Sequence, residues 1–349
     1  MKRVRQLGQA LTAAVAASLF VATTAGAQTL TPTIFTDPHP LKSTGTIGFT
    51  YAGDMFVGSV QQDGTGALYA TDLDGTNVRD FAPGVSLAAS NASEHFLASS
   101  LGLGGFESRD IYAAAGSTVV HISHDGLTSS TFVSGLNGFV RGILFDAIGT
   151  FNGDMLITTT SGDVYRVTSA GTATLLASVG EDTEGLDIAP IGAGFGSFDG
   201  QLIVASEGSN TIRAINTLGS ISTVLQDGGF GGAEELSFVP LDLGVSGDPV
   251  EGFYGANYTP NVIKIGSGQF AGMQGDVIVT GEGSGGISRV HWNGTSFLRT
   301  TEGSFPNQPE DGIFVTRAIV TGGVPEPGAI AFAVGGGSLG LMILRRRRK

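Results

Sequence analysis

The sequence predicts an all-β protein, a β-propeller of six blades with seven as the alternative count, between an apolar leader and an apolar tail. Three observations carry this. The middle of the chain has almost no helical periodicity. It shows short strands rich in Val, Ile, Thr, Phe and Tyr, separated by Gly-containing turns. One of these strand patterns also returns at regular intervals, the signature of a repeat architecture. Glycine supplies 56 of the 349 residues, about twice the usual share of roughly 7%. It follows no three-residue period, so it marks turns rather than a collagen helix. A sandwich or a β-solenoid of similar strands is the competing arrangement.

The repeat begins with an apolar strand after a small turn: GDMFVGS (53–59), RDIYAAA (109–115), GDMLITT (153–159), GQLIVAS (200–206), EGFYGAN (251–257) and GDVIVTG (275–281). A second strand follows each, as in TVVHISH (118–124) and DVYRVTS (163–169), and often a third, as in ATLLASV (173–179). A further strand precedes the unit in VRGILFD (140–146), EGLDIAP (184–190), EELSFVP (234–240) and EDGIFVT (310–316). The first four intervals suit a four-stranded blade of ~40–50 residues. The last is about half as long, so a truncated blade is expected there. Asp-Gly and Asn-Gly pairs at 63, 74, 125, 152, 199 and 293 are turn dipeptides that accept left-handed backbone. A propeller must close, so a strand from 29–36 and one from 312–320 are expected to complete one blade together.

Both ends differ from this body. In residues 1–27, Lys2, Arg3 and Arg5 precede an apolar run from Leu11 to Val21, and Ala25-Gly26-Ala27 follows. That is the three-part pattern of a secretory signal peptide, with small residues at Ala25 and Ala27 for the signal peptidase and cleavage expected after Ala27. In residues 323–349, Val324-Pro325-Glu326-Pro327 is followed by Gly328 and sixteen uncharged residues, Ala329 to Leu344. Sixteen helical residues span about 24 Å, a thin or tilted membrane crossing. Arg345, Arg346, Arg347, Arg348 and Lys349 close the sequence, a stop-transfer cluster that stays cytoplasmic. The body, 28–322, is then expected outside the cytoplasm.

The last 26 residues resemble the PEP-CTERM sorting signal of Gram-negative and related bacteria: the VPEP tetrapeptide, an apolar helix with small residues, and a terminal Arg cluster in that order. The resemblance implies recognition by an exosortase, a membrane cysteine protease, at Val324, Pro325, Glu326 and Pro327. It further implies transient anchoring in the inner membrane and then release to the cell surface, often in organisms that make exopolysaccharide. A permanent, uncut anchor is the alternative.

Composition limits the function. With no Cys, a disulfide scaffold, a thiolate zinc site, an iron–sulfur cluster and a cysteine nucleophile are all excluded. The formal net charge is −13. Eight of the 18 basic residues lie in the first 27 and last five positions, which leaves residues 28–344 near −21. A field of that sign repels nucleic acid and anionic membrane surfaces and suits solubility, cation binding, or contact with basic or neutral partners. The only G-x-S-x-G, 336–340, falls inside the terminal apolar run, where no nucleophile elbow can form. Asp72 to Asn77 begins like a calcium loop but has Pro where the bidentate Glu belongs, so an Asp-Gly hairpin is expected. His121 and His124 sit three apart on a strand and make a poor metal pair.

The recurrent acidic–Gly–Leu/Ile–x–apolar strand resembles the NHL and lactonase-type six-bladed propellers, loosely, over about 45–320. In those proteins the residues entering each innermost strand point at the central channel. By position the resemblance gathers Arg141, Glu184, Glu234, Glu235, Glu310 and Asp311 at one mouth. It implies a calcium site at Glu184, Glu234, Glu310 and Asp311, with Glu184-Gly185 matching the family's Glu-Gly pair. The expected function is a non-enzymatic binding role at the cell surface or in the extracellular matrix, with exopolysaccharide or surface proteins as partners. The alternative is a calcium-dependent, lactonase-like hydrolase or lyase.

Overall fold

A computed structural model describes residues 29–42, 44–60, 68–85, 87, 94–258 and 261–317. The signal peptide, the sorting motif and the terminal Arg cluster lie outside these described residues. Within them every sheet has four strands.

The first described strand, β1 (Thr33–Thr36), belongs to the last blade of the ring. Blade 1 comprises β2 (Thr46–Tyr51), β3 (Phe56–Val60), β4 (Leu68–Thr71) and β5 (Arg79–Asp80), all antiparallel. Blade 2 comprises β6 (Leu97–Ser99), β7 (Ile111–Ala115), β8 (Thr118–Ile122) and β9 (Ser129–Val133). Blade 3 follows with β10 (Val140–Phe145), β11 (Met155–Thr159), β12 (Asp163–Val167) and β13 (Ala173–Ser178). Blade 4 holds β14 (Leu186–Ile188), β15 (Leu202–Ser206), β16 (Thr211–Ile215) and β17 (Ile221–Gln226). In each, the first strand is innermost and the order in space follows the chain.

The pattern then changes. Blade 5 opens with β18 (Ala233–Phe238), but the next two strands, β19 (Gly252–Tyr258) and β20 (Asn261–Gly266), leave it. The chain returns to blade 5 for β21 (Val277–Gly281), β22 (Gly286–Trp292) and β23 (Phe297–Ser304). Blade 6 is assembled in the order β1-β20-β19-β24, where β24 (Gln308–Val315) is the last described strand. The short interval between the units at 251 and 275 is therefore a hairpin lent to the neighbouring blade, not a truncated blade. The strands expected to close the ring do share one sheet, although β19 and β20 stand between them.

A four-stranded sheet has two apolar faces and cannot cover either alone. Six hydrophobic clusters solve this, one at each blade interface. Phe96, Phe106, Tyr112, Phe145 and Ile157 fill the gap between blades 2 and 3; Phe195, Ala205, Phe230 and Val279 fill that between blades 4 and 5. The closing interface between blades 6 and 1 is aromatic. Phe49 stacks on Phe56 with centroids 5.2 Å apart, and Phe56 meets Tyr254 at 4.6 Å. Phe35, from β1, adds an edge to Tyr254 at 4.8 Å. Burial of such rings, together with their edge-to-face geometry, fastens the ring at the blade that holds both the first and the last described strand.

Polar groups reinforce the repeat. The Asp of the recurring turn pairs with a basic or imidazole group on the adjacent strand: Asp110 with His121 at 2.6 Å, Asp276 with Arg289 at 2.7 Å, and Asp154 with Arg166. His124 lies past the end of β8, bonded instead to Asp54 at 3.0 Å. Asp72 to Asn77 forms the β4–β5 hairpin turn, closed by a Gly75 N–H donating to the Asp72 carbonyl at 2.9 Å.

Innermost strands approach one another closely, and glycine permits it. A Cβ on Gly185 would lie 2.4 Å from both the Glu234 carbonyl oxygen and the Leu236 nitrogen; the Gly185 N–H donates to that carbonyl at 2.9 Å. Gly48 meets the His95 carbonyl in the same way. Replacing Gly185 with Ala is expected to destabilise the fold by about 1–3 kcal/mol through overpacking against rigid backbone. Gly268→Ala, where a Cβ meets nothing within 4 Å, should be near neutral. Chemical denaturation of both variants checks the contrast.

Candidate functional site

Each innermost strand runs from one end of the channel to the other, so its first residues gather at a common mouth. The alternation of side chains along a strand then decides which of them meet. Glu184 lies just before β14, its N–H held by the Ala205 carbonyl at 3.0 Å. Glu234 is the second residue of β18, Glu310 the third of β24 and Arg141 the second of β10. Three further carboxylates join from loops at the same end: Glu94 and Asp182, ahead of β6 and β14, and Glu207, in the β15–β16 turn.

Two halves can be distinguished. In the first, Arg141 is the basic partner of three acids: its Nε is 3.2 Å from Glu184, its Nη2 is 3.3 Å from Asp182, and its Nη1 contacts Glu94. In the second, carboxylate oxygens of Glu184, Glu207 and Glu234 converge within 4.8 Å of one another. Gln308 donates to Glu282 at 2.6 Å and to Glu310 at 2.8 Å, which ties the next two acids to this half. Glu184 and Glu234 are 4% and 2% exposed, and the Oε2 atom of each is buried without a hydrogen-bond donor. Such atoms are costly unless a proton or a cation reaches them.

The charge states follow from this crowding. Burial pushes the Glu234 carboxyl well above the usual range, and the neighbouring Glu184 and Glu310 charges add to the rise. Burial also raises Glu184, against the pull of Arg141. Glu207 is pushed up to about 7 by burial and by its hydrogen-bonded neighbour Glu282. Glu310 is pushed up to about 8 by burial, with Glu184 and Glu282 contributing.

Asp311 and Glu235, expected at the same mouth, lie elsewhere. Each follows a mouth residue directly and therefore points the other way. The Asp311 carboxylate accepts from the Phe49 N–H of blade 1 at 3.0 Å and from the Gly312 N–H at 2.8 Å. Asp187 does the same between blades 4 and 5, accepting from the Phe238 N–H at 2.7 Å. Glu235 is bonded by the Ser237 hydroxyl. Burial raises Asp187 and Asp311 to about 7 each and carries Glu235 well above the carboxylate range. These three are interblade residues beneath the mouth, and the cluster of Glu184, Glu207 and Glu234 does not include them.

Glu207 and Glu282 were not singled out from the sequence. A partial signal for them exists: of the three Glu-Gly-Ser triplets, those at 207–209 and 282–284 lie in the turn after the second strand of a blade, and the third, 302–304, ends β23. That turn opens at the mouth, because the second strand runs antiparallel to the innermost one.

No protein-family model matches the sequence, and no curated protein matches it with significance. Solved structures do match. The chain is similar to the PQQ-bound form of an aldose sugar dehydrogenase from Streptomyces coelicolor at 12% identity and a TM-score of 0.51, over 77% of this chain and 83% of that one. It is also similar to a protein designated a gluconolactonase, at 11% identity and a TM-score of 0.50, over 81% and 86%. At such identities the likeness is one of fold. The chain is a six-bladed β-propeller. Its structural neighbours are propellers of the lactonase type; its chemistry must be argued from its own residues.

The raised carboxyls give a pH dependence with a definite sign. The unfolded chain releases these protons near pH 4. The folded protein holds them to about pH 7 at Asp187, Glu207 and Asp311, and to about pH 8 at Glu310. The folded state binds more protons across that window, so stability falls as pH rises through it. Melting in a metal chelator is expected to occur at a lower temperature at pH 8 than at pH 5.5.

Proposed function

We propose that this protein is an exported, surface-directed propeller whose acidic mouth binds a divalent cation, calcium before others, and with it a neutral, hydroxyl-rich ligand such as exopolysaccharide. The observation that carries the proposal is the convergence of Glu184, Glu207 and Glu234 with two buried oxygens that have no donor. The donor set fits the ion. All of it is carboxylate oxygen, the choice of hard cations. The 4.8 Å limit on the separations is about twice a calcium–oxygen distance of roughly 2.4 Å. Glu282 and Glu310, tied through Gln308, supply further oxygens nearby.

A bound cation would neutralise the mouth and offer a Lewis-acid centre to sugar hydroxyls or a carbonyl oxygen. This chain's own residues then do the rest. Arg141, engaged by three carboxylates, holds Glu184 in place instead of meeting an anionic ligand. Glu207 and Glu310 exchange protons near neutrality, which favours a second reading: a lactonase-like hydrolase or lyase with one of them as general base. Export rests on the leader with Ala25 and Ala27, and on the PEP-CTERM pattern from Val324 to Lys349. In this reading signal peptidase removes the leader and exosortase acts at the VPEP motif.

Calcium at about a hundred times its Kd is expected to add about 2.7 kcal/mol of stability, which is a rise of several degrees in Tm. Glu234→Gln should melt no lower than the parent in chelator, because it relieves repulsion, yet lose the calcium response. An unchanged response in that variant rejects the site. Processing is checked by mass spectrometry of the protein from its own host. The expected product begins at Gln28 and lacks Ala329 to Lys349; a mature product retaining that segment rejects cleavage.

A further inference from the structure

The two ends of the ring differ in chemistry. The acidic mouth lies where innermost strands begin. The opposite end carries the loops that leave innermost strands and the turns between third and fourth strands. Among the described residues, the most exposed large apolar side chains on loops all lie at this second end. Leu127 caps the β8–β9 turn at 81% exposure and Leu218 the β16–β17 turn at 88%. Ile191 leaves β14 at 65%, and Val245, with Leu241 beside it, leaves β18 at 81%. Among the described residues, the mouth-end loops offer only Leu41 and Phe139, at 36% and 38%.

The chain also leaves the ring at this second end. Val315, the last residue of β24, pairs with Gly252 directly after the loop bearing Leu241 and Val245. Eleven residues separate Arg317 from the apolar segment Ala329 to Leu344, at most about 40 Å of chain. Five carboxylates at this end, Asp54, Asp72, Asp110, Asp154 and Asp276, each pair with Arg or His, while Asp74 and Asp125 are exposed on the β4–β5 and β8–β9 turns. At the mouth, Arg141 faces Glu94, Asp182 and Glu184, and Arg213 pairs with Glu181.

We infer that the apolar loop end of the propeller is a lipid-facing surface, which lies on the outer side of the bilayer while the tail is anchored and turns the acidic mouth away from the membrane. Isolated leucines on scattered loops would need no explanation. Here they share one end, next to the exit of a membrane-directed segment, with a short tether. Partial insertion of such tips into the headgroup region adds to the hold of a short apolar span. This inference rests on reading 329–344 as a membrane segment, so its test must separate the two.

The chain's single tryptophan is a native reporter. Trp292 ends β22 and pairs with Phe297 at the loop end. The tail-bearing protein, purified from the inner membrane after leader removal, is reconstituted into phosphatidylcholine vesicles carrying a spin label at carbon 5 of the acyl chain. Flotation reads tail insertion, and loss of Trp292 emission reads which end faces the lipid. We expect flotation, with at least half of the Trp292 emission lost. A mouth reporter, Phe139→Trp in a Trp292→Phe background, should lose less than a tenth. The pair Leu218→Asp and Val245→Asp should at least halve the Trp292 quenching without changing flotation. Flotation with equal or stronger quenching at position 139, or quenching untouched by the two Asp substitutions, overturns the lipid-facing surface and leaves the tail reading standing. Protein that does not float overturns the tail reading and this inference with it.

Discussion

No blade of this protein can bury both of its faces, so each depends on a neighbour to either side. That mutual covering is the constraint from which the rest follows. It requires a closed ring, because an open row of six sheets would leave two apolar faces in water. It also explains the composition. The interfaces are filled by Phe, Tyr, Val and Ile, and the innermost strands, crowded toward the axis, meet backbone to backbone. Gly48 and Gly185 sit where one innermost strand comes close to the next, and a side chain there would hold the blades apart.

The same crowding produces the site. Six strand starts converge on one opening, and several of them bring an acidic residue. Glu184 and Glu234 are as buried as core side chains, so their charges are poorly solvated and their protons strongly held. Arg141 answers one side of the opening. The other side has carboxyl groups facing carboxyl groups, an arrangement that stores affinity for a proton or a hard cation. An odd number of residues further along, one from Glu310 to Asp311 and three from Glu184 to Asp187, the side chains reverse direction and capture backbone N–H groups of the next blade. Adjacent positions thus divide into those that face a ligand and those that hold the ring.

Much of this architecture was legible in the sequence. The period-2 alternation and the Gly turns are local signals, so the strands and their grouping in fours could be read directly. The innermost strands were legible as well, since VRGILFD, EGLDIAP, EELSFVP and EDGIFVT share one pattern. The hairpin β19–β20 was not. Its residues look like any other blade unit, and only long-range pairing with β24 and β1 assigns it to blade 6. In the site, Glu184, Glu234 and Glu310 could be named from strand position. The separation of Glu310 from Asp311, and of Glu234 from Glu235, could not, because either register puts an acid toward the mouth. Glu207 and Glu282 depend on a turn whose sequence, Glu-Gly-Ser, looks like an ordinary polar connection until the antiparallel geometry carries it to the channel.

Blade 6 also has a mechanical meaning. Its strands come from three separate stretches of chain, and the one that continues toward the tail, β24, is the innermost. A pull applied through the tail would act along β24 and load its whole ladder with β19 in shear, while the blade interfaces on both sides grip the strand. Pulling instead on the β1 end would peel an outer edge bond by bond. A load carried through the residues after β24 would thus fall on the most deeply set strand, as on a rope tied to a hub instead of to a rim, where the ring is hardest to open.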